Sequence, residues 1–243
     1  MITRTEIAKV LQNPPLDSEV TVMGWVRAYR GRRFIALFDG STSQTLQIVV
    51  DFENFPEELI NNIKFHSSIS VTGTVVESQG AGQAVEVQAK SLEILGENNL
   101  EAYPLQAKKQ TVEFLREHAH LRTRTATFSA VFRIRHAVAY AVHKYFNDRG
   151  YYYYHTPIIT GSDAEGAGEM FRVSTIDPAS PPTTEDGAID YDKDFFGKAT
   201  NLTVSGQLQA EIGPLALGMV YTFGPTFRAE NSNTTRHLSE FWM

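Results

Sequence analysis

The chain has 243 residues and a formal net charge of −6, with 42% hydrophobic and 21% charged residues. These proportions indicate a folded protein of one large or two smaller domains and exclude a mostly disordered or collagen-like chain. The absence of cysteine excludes a disulfide scaffold, a thiolate zinc site and a cysteine nucleophile. No apolar run approaches the roughly 20 residues that span a bilayer, and the N-terminus has no apolar signal core. We therefore expect a cytoplasmic protein without a membrane partner.

The first hundred residues predict a small β-barrel. Alternating apolar and polar side chains predict strands over 20–27, 33–38, 45–50, 68–76 and 84–95. One helical segment, which begins near Pro56, lies between the third and fourth strands. Three strands, a helix and two strands is the order of an OB-fold, which binds oligonucleotides on one face. A β-barrel without a ligand is the alternative.

A second domain is predicted after a polar segment without periodicity. We place the barrel at 1–98, a linker at 99–124 and the second domain at 125–243. The second domain opens with a long helix that ends before Gly150, followed by a tyrosine-rich strand that ends beside Pro157. The stretch 174–198 is rich in Pro, Asp and Thr, which is typical of a solvated surface loop.

The end of the chain predicts a strand, a polar loop and a return strand with chemically useful side chains. Arg228 and Glu230 share one face of the first strand because side chains alternate along a strand. A guanidinium can grip a phosphate or carboxylate with its planar fork, and Phe241 on the return strand offers a ring for a base. These residues suit a nucleotide, and equally a surface hairpin held by salt bridges.

The same residues carry a resemblance to a known family. Phe227-Arg-Ala-Glu230, followed by Arg236-His237 and Glu240-Phe241, closely resembles motif 2 of the class II aminoacyl-tRNA synthetases. The long helix and the strand ending at Pro157 resemble motif 1, and the barrel resembles the anticodon-binding domain of the aspartyl/asparaginyl/lysyl subgroup. Within that subgroup the bacterial asparaginyl enzymes are the most similar, over 162–171, 192–198, 202–207 and 221–233.

The resemblance implies a fold and an assembly. The fold is an N-terminal all-β OB-fold barrel followed by an α+β catalytic domain on an antiparallel sheet. The assembly is a homodimer through the motif 1 helix and the strand around Pro157.

The resemblance also implies a reaction. Asparagine reacts with ATP to give asparaginyl-adenylate, and the aminoacyl group then passes to the 3′ end of tRNA(Asn). Arg228 is the implied catalytic residue, bridging the carboxylate of asparagine and the α-phosphate. The implied ATP contacts are Glu230 at the adenine amine, Arg236 and His237 in the loop, and Phe241 stacked on adenine. Mg²⁺ is expected, with its ligands mostly beyond residue 243 and none within this chain.

The amino-acid pocket is assigned by the same resemblance. Ser205 and Gln207 match residues near the polar groups of the substrate, and Glu165 matches a residue of a mobile loop that closes on the α-ammonium. Aspartyl enzymes carry a lysine where this chain has Ala210, and a proline where it has Gly206. A buried ammonium facing a neutral amide would lack a partner, so alanine favours asparagine over aspartate.

In the barrel, we predict anticodon contacts at Arg27, Phe34 and Gln47. Phe34 resembles the aromatic residue on which an anticodon base stacks, and Gln47 offers an amide donor and acceptor for a base edge. Arg27, Arg30, Arg32 and Arg33 form a local cationic patch in a chain of negative net charge. For Phe34 the alternative is a place in the barrel core.

The family pattern continues with a glycine-rich motif 3 and a second catalytic arginine, which have no match within these 243 residues. We therefore expect an N-terminal portion that is inactive alone. The alternatives are a non-catalytic tRNA-binding module, an aspartyl-specific relative, and a tRNA-independent amide-forming relative. The last would not need the barrel.

Overall fold

The computed structural model describes residues 3–80, 82–164, 166, 168–231, 234 and 236–243. They form two compact units, 1–135 and 136–243. Among the described residues no helix is both long and apolar enough to cross a membrane.

The first unit is built on a closed five-stranded barrel. Its strands are β1 (Glu19–Arg30), β2 (Phe34–Phe38), β3 (Leu46–Val49), β4 (Ser68–Glu77) and β5 (Val85–Gly96). They follow one another around the barrel in the order β1-β2-β3-β5-β4. The pair β3 and β5 is parallel, and the other pairs are antiparallel. The predicted five-stranded barrel is confirmed.

The barrel core follows the period of two in the sequence. Alternate residues of each strand point inward, among them Ile35, Leu37, Leu46 and Ile48, all fully buried. The helix α2 (Glu57–Asn62) follows Pro56 as predicted and buries Ile60.

Another helix, α1 (Ile7–Gln12), was not anticipated by the sequence analysis. It contributes Ile7 and Val10 to the core. The backbone N–H of Ile7 donates to the carboxylate of Asp39 over 2.9 Å. These tertiary contacts stabilise a helix of six residues, which is too short to be stable alone.

The segment predicted as a linker has structure of its own in the first unit. It contains α3 (Val112–Glu117), which buries Leu115, and it also buries Leu105. Directly before this segment, the side chain of Asn98 donates to the carbonyl of Phe65 over 2.8 Å. The long predicted helix follows as α4 (Ala126–Asn147).

The second unit consists of short strands and helices. They are β6 (Tyr152–Tyr153), β7 (Ile159–Thr160), β8 (Arg172–Val173), β9 (Thr200–Leu202), α5 (Gln207–Ala210), α6 (Pro214–Leu217), β10 (Val220–Tyr221), β11 (Pro225–Phe227) and β12 (Glu240–Trp242). Strand β9 lies between β7 and β8, and β11 pairs with β12, all antiparallel. Strands β6 and β10 pair in parallel, unlike the other strand pairs of this unit. The tyrosine-rich strand β6 has two residues and is shorter than predicted.

Aromatic packing joins the end of α4 to β10 in the second unit. The ring of Phe146 stacks on Tyr221 at a centroid distance of 4.6 Å. The His143 Nδ1 atom lies 2.7 Å from the Tyr221 hydroxyl oxygen. Burial raises the pKa of Tyr221, so this hydroxyl stays protonated and can donate.

His66 is a buried histidine of the first unit with cationic neighbours. Its ring contacts those of Phe65 and Tyr103, at centroid distances of 4.0 and 5.1 Å. Burial, and then the positive charges of Arg27 and Arg124, lower the pKa of His66 to about 4. The folded protein therefore keeps this ring neutral at pH 7.

We predict that His66 makes the fold sensitive to mild acid. The unfolded chain takes up a proton near the ordinary histidine pKa of about 6.5, whereas the folded chain does so only near about 4. The free energy of unfolding therefore falls as the pH falls between these values. For each pH unit, the unfolding equilibrium constant rises by at most about tenfold. His66→Asn should flatten this dependence, because asparagine does not titrate and tolerates the left-handed φ of 64°.

Urea unfolding of wild type and His66→Asn at pH 7 and pH 5 measures the effect. Equal losses of stability in the two proteins would contradict the prediction.

Candidate functional site

The hairpin of β11 and β12 forms one candidate site in the second unit. Phe227 pairs with Glu240 and Thr226 with Phe241. The backbone N–H of Arg228 donates to the carbonyl of Ser239 over 3.0 Å, so the pairing continues past β11. A cavity of about 340 Å³ beside the hairpin is lined by Arg228, Glu230, Arg236, His237, Leu238 and Phe241. The structure thus gathers all five residues that the sequence analysis assigned to ATP, and adds Leu238.

Arg228 has the chemistry of an anion-binding group. Its guanidinium carbon lies 5.3 Å from the ring centroid of Phe241. Its Nε atom is buried and has no hydrogen-bond partner among the described residues. A buried guanidinium N–H without an acceptor is unusual in a folded protein. A phosphate or carboxylate oxygen in the cavity would supply that acceptor.

A glycine-containing loop packs directly on this hairpin. A Cβ atom on Gly168 would lie 2.8 Å from Glu230 Oε1 and 3.2 Å from Arg228 Cδ. The carbonyl of Glu169 accepts a hydrogen bond from the backbone N–H of Ala229 over 2.7 Å. The loop backbone therefore packs against two of the residues that line the cavity, Arg228 and Glu230. Glu165, predicted on the same loop, lies outside the described residues.

The hydroxyl of Thr234 contacts two residues of the hairpin loop. Thr234 Oγ1 lies within hydrogen-bond distance of His237 Nδ1 and accepts from the backbone N–H of Arg236 over 3.4 Å. These contacts keep Arg236 and His237 at the cavity wall.

Ser205 and Gln207 are not among the residues that line this cavity. The Ser205 hydroxyl accepts from the backbone N–H of Gln207 over 3.1 Å, and the Gln207 amide donates to Glu211 Oε1 over 2.9 Å. The adjacent carbonyl of Thr203 accepts from the backbone N–H of Phe227 over 2.8 Å. The turn that carries Ser205 and Gln207 thus lies beside the strand that leads to Arg228.

The outer face of the barrel forms a second candidate site, in the first unit. Phe34 is 41% exposed, which excludes the alternative that it belongs to the barrel core. Phe34 pairs with Val49, and Gln47 pairs with Ala36. Phe34 and Gln47 therefore lie on the same face as diagonal neighbours.

Glu86 belongs to this face and was missed by the sequence analysis. Strand β5 places it beside Gln47 in the parallel pair. The Gln47 amide and the Ser78 hydroxyl donate to Glu86 Oε2 over 2.9 and 2.8 Å. Gln47 and Glu86 are 39 residues apart, so no local pattern could have indicated the pair. A carboxylate beside an amide offers acceptors for the amino or imino group of a base.

Arg27 is not brought next to Phe34. Its guanidinium carbon lies 4.5 Å from the ring centroid of Phe38, and the group donates to the carbonyl of Arg124. In the β1–β2 ladder the partner of Phe34 is Arg30. Arg33 is the cation whose guanidinium lies over the Phe34 ring, at 5.7 Å.

Metal binding has no support in the described part of the chain. There, no three side chains of His, Asp or Glu converge as a group that could hold an ion. The described residues therefore do not fit a magnesium site by themselves.

Comparison with known proteins divides the chain in the same order. Residues 20–95 match the OB-fold nucleic acid binding domain, and residues 111–243 match the tRNA synthetases class II (D, K and N). An asparagine–tRNA ligase of Cytophaga hutchinsonii is 58% identical, covering 99% of this chain and 53% of that protein. One from Porphyromonas gingivalis is 57% identical, covering 99% of this chain and 52% of that protein.

A solved structure is similar over the whole chain. Asparaginyl-tRNA synthetase from Pyrococcus horikoshii, complexed with asparaginyl-adenylate, has a TM-score of 0.79 at 26% identity, covering 100% of this chain and 52% of that one. The chain spans about half the length of the curated relatives it matches.

Proposed function

The chain belongs to the class II tRNA synthetases of the D, K and N group, and we propose that it carries the anticodon-binding barrel and the ATP-binding hairpin of an asparagine–tRNA ligase. The observation that carries the proposal is the hairpin cavity, where a guanidinium with a buried Nε atom, a carboxylate and an aromatic ring converge. The identity of 57–58% to asparagine–tRNA ligases supports it. tRNA charging serves protein synthesis, so the proposed compartment is the cytoplasm.

The proposed first step joins asparagine to AMP. An oxygen of the asparagine carboxylate attacks the α-phosphorus of ATP, and pyrophosphate leaves. Negative charge develops around the α-phosphate, where the Nε–H of Arg228 can donate, since it has no acceptor among the residues that the structure describes. Phe241 would hold the adenine ring by stacking, and Glu230 would accept from its amine. Such catalysis depends on positioning and charge neutralisation. The 3′-terminal ribose hydroxyl of tRNA(Asn) then takes the aminoacyl group and AMP leaves.

Selection of asparagine is proposed for the turn beside Arg228. Ser205 and Gln207 offer a hydroxyl and an amide to the polar groups of the substrate. Ala210, half-buried at the end of α5, brings no cation that a substrate carboxylate would need. Glu165 is proposed to contact the α-ammonium.

The barrel face is proposed to read the anticodon. Phe34 provides a stacking surface, and the Gln47–Glu86 pair provides donors and acceptors for a base edge. Arg33 beside Phe34 is suited to a neighbouring phosphate. Arg27 is placed to support the barrel, since its guanidinium is held by Phe38 and the Arg124 carbonyl.

The test is asparagine-dependent ATP–pyrophosphate exchange by the protein at its full encoded length. We predict that Arg228→Lys loses most of this activity, because a point ammonium cannot reproduce the planar fork of arginine. Loss of one charge-stabilising donor costs roughly 100- to 1000-fold in turnover.

Aspartate in place of asparagine is the control substrate and should give no exchange. Near-normal turnover by Arg228→Lys would remove Arg228 from the site. A wild-type protein that binds tRNA(Asn) but exchanges nothing would favour the non-catalytic binding module.

For the barrel face, we predict that Phe34→Ala weakens tRNA binding by roughly 1–3 kcal/mol, the value of one base stacked on an aromatic ring. Gln47→Ala should cost less affinity and reduce discrimination at the base it reads. Asparagine activation without tRNA should be intact in both variants.

Filter binding over a salt series measures the affinity for tRNA. The logarithm of the binding constant should fall against the logarithm of the salt concentration, with a slope near −0.7 for each neutralised phosphate of single-stranded RNA. Wild-type affinity in Phe34→Ala would show that the anticodon face is misplaced.

A homodimer through α4 and the segment around Pro157 is also proposed. All residues of α4 are described, and none is buried. Val131, Ile134 and Val138 recur along one side of this helix and are 49%, 64% and 54% exposed. A continuous apolar face of this kind is typical of a contact surface.

We predict that Ile134→Glu shifts the full-length protein from dimer to monomer. A buried unpaired carboxylate would destabilise the contact. His136→Glu, on the other side of α4, is the matched control and should remain dimeric. Sedimentation equilibrium measures the outcome, and a monomeric wild type at micromolar concentration would refute the proposed assembly.

A further inference from the structure

A close contact joins two segments of the second unit that are far apart in sequence. Gly206 is buried and lies against the side chain of Thr156. A Cβ atom on Gly206 would collide with Thr156 Oγ1 and would lie 3.2 Å from both Thr156 Cβ and Cγ2. Any side chain at position 206 would therefore displace Thr156 or the turn that carries Gly206.

The glycine is required here by space and not by backbone conformation. Its φ of −82° and ψ of 6° are accessible to ordinary residues. The atoms that exclude a larger residue belong to Thr156 and, among them, Cβ cannot rotate away. Thr156 is thus the reason that position 206 holds glycine.

The backbone and side chain of Thr156 have little conformational freedom. It precedes Pro157, and a residue before proline is restricted to extended conformations. Its β-branched side chain has few rotamers. One residue beyond Pro157, the carbonyl of Ile158 accepts from the backbone N–H of Thr203 over 2.8 Å. The segment 156–158 therefore holds the segment 203–206 at both ends.

The turn that Thr156 contacts is internally rigid. The Thr203 hydroxyl donates to the carbonyl of Ser205 over 2.6 Å, and the Ser205 hydroxyl accepts from the backbone N–H of Gln207 over 3.1 Å. A rigid turn moves as one body. Its position is then set by its external contacts, of which the packing of Gly206 on Thr156 is one.

We propose that Thr156 is a positioning residue for asparagine: by packing on Gly206 it sets the position of Ser205 and Gln207 and so tunes the affinity of the amino-acid pocket. Thr156 itself does not touch the substrate in this proposal. The inference rests on the proposed function, since it assigns the pocket to this turn. It adds a residue of the motif 1 segment, next to Pro157, to the determinants of amino-acid binding.

The first experiment is Gly206→Ala in the full-length protein, assayed by asparagine-dependent ATP–pyrophosphate exchange. The KM for asparagine should rise, by up to roughly 100-fold for a displacement near 1 Å, while the KM for ATP and the affinity for tRNA stay unchanged. Gly224→Ala is the matched control, because Gly224 is in the same unit, has no positive φ and has open space at its Cβ position. It should behave as wild type.

The second experiment is a rescue. Thr156→Ala removes the colliding Oγ1 and leaves two Cβ atoms near 3.2 Å apart in the double variant with Gly206→Ala. The double variant should recover most of the asparagine affinity lost by Gly206→Ala. If Gly206→Ala does not fold, Thr156→Ala alone decides: its KM for asparagine should rise several-fold with its KM for ATP unchanged.

The outcomes separate the two proposals. No exchange by wild type with asparagine would refute the proposed function. Active wild type together with an unchanged KM for asparagine in Gly206→Ala, or failure of the double variant to recover, would refute the role of Thr156 alone. Where only Thr156→Ala can be tested, wild-type kinetics in that variant would refute it.

Discussion

Backbone pairing along strand β9 is the constraint on which the second unit depends. Its neighbours β7 and β8 pair with it on either side. Thr203, the residue after β9, accepts from Phe227 through its carbonyl and donates to Ile158 through its N–H. Thr203 therefore ties together the segment 156–158, the turn 203–206 and the hairpin of β11 and β12.

Strand pairing that is distant in sequence has the same effect in the first unit. Strands β3 and β5 are not consecutive in the chain, yet the strand order makes them parallel neighbours. Gln47 and Glu86 meet only through this pairing. The polar groups of the outer face are thus a product of topology, and the apolar alternation within each strand is a product of local sequence.

These two origins explain how much the sequence could predict. The strands of the barrel were predictable because a period of two records which side faces the core. The residues around Arg228 were predictable because they lie within one hairpin. In a hairpin, the spacing of residues along the sequence largely determines which side chains lie close together in space. Helix α1 was not, since its six residues are stabilised by burial of Ile7 and by the Asp39 carboxylate. Glu86 was not, because its partner is distant in sequence. The roles of Ser205, Gln207 and Glu165 rest on family resemblance and are still predictions.

Glycine illustrates the difference most directly. At Gly31, φ is 58° and a Cβ atom would meet open space, so the turn requires glycine for its backbone and the sequence around it predicts a turn. At Gly206 the backbone is ordinary, and the requirement for glycine comes from Thr156, which lies fifty positions earlier in the chain. A residue can thus be constrained by a partner that no local pattern reveals. Because that partner precedes Pro157 at the end of the motif 1 segment, a contact surface between subunits and a substrate pocket would share one short stretch of backbone. On these two proposals, a change of packing at Pro157 would alter the geometry of the turn 203–206 through the contact of Thr156 with Gly206.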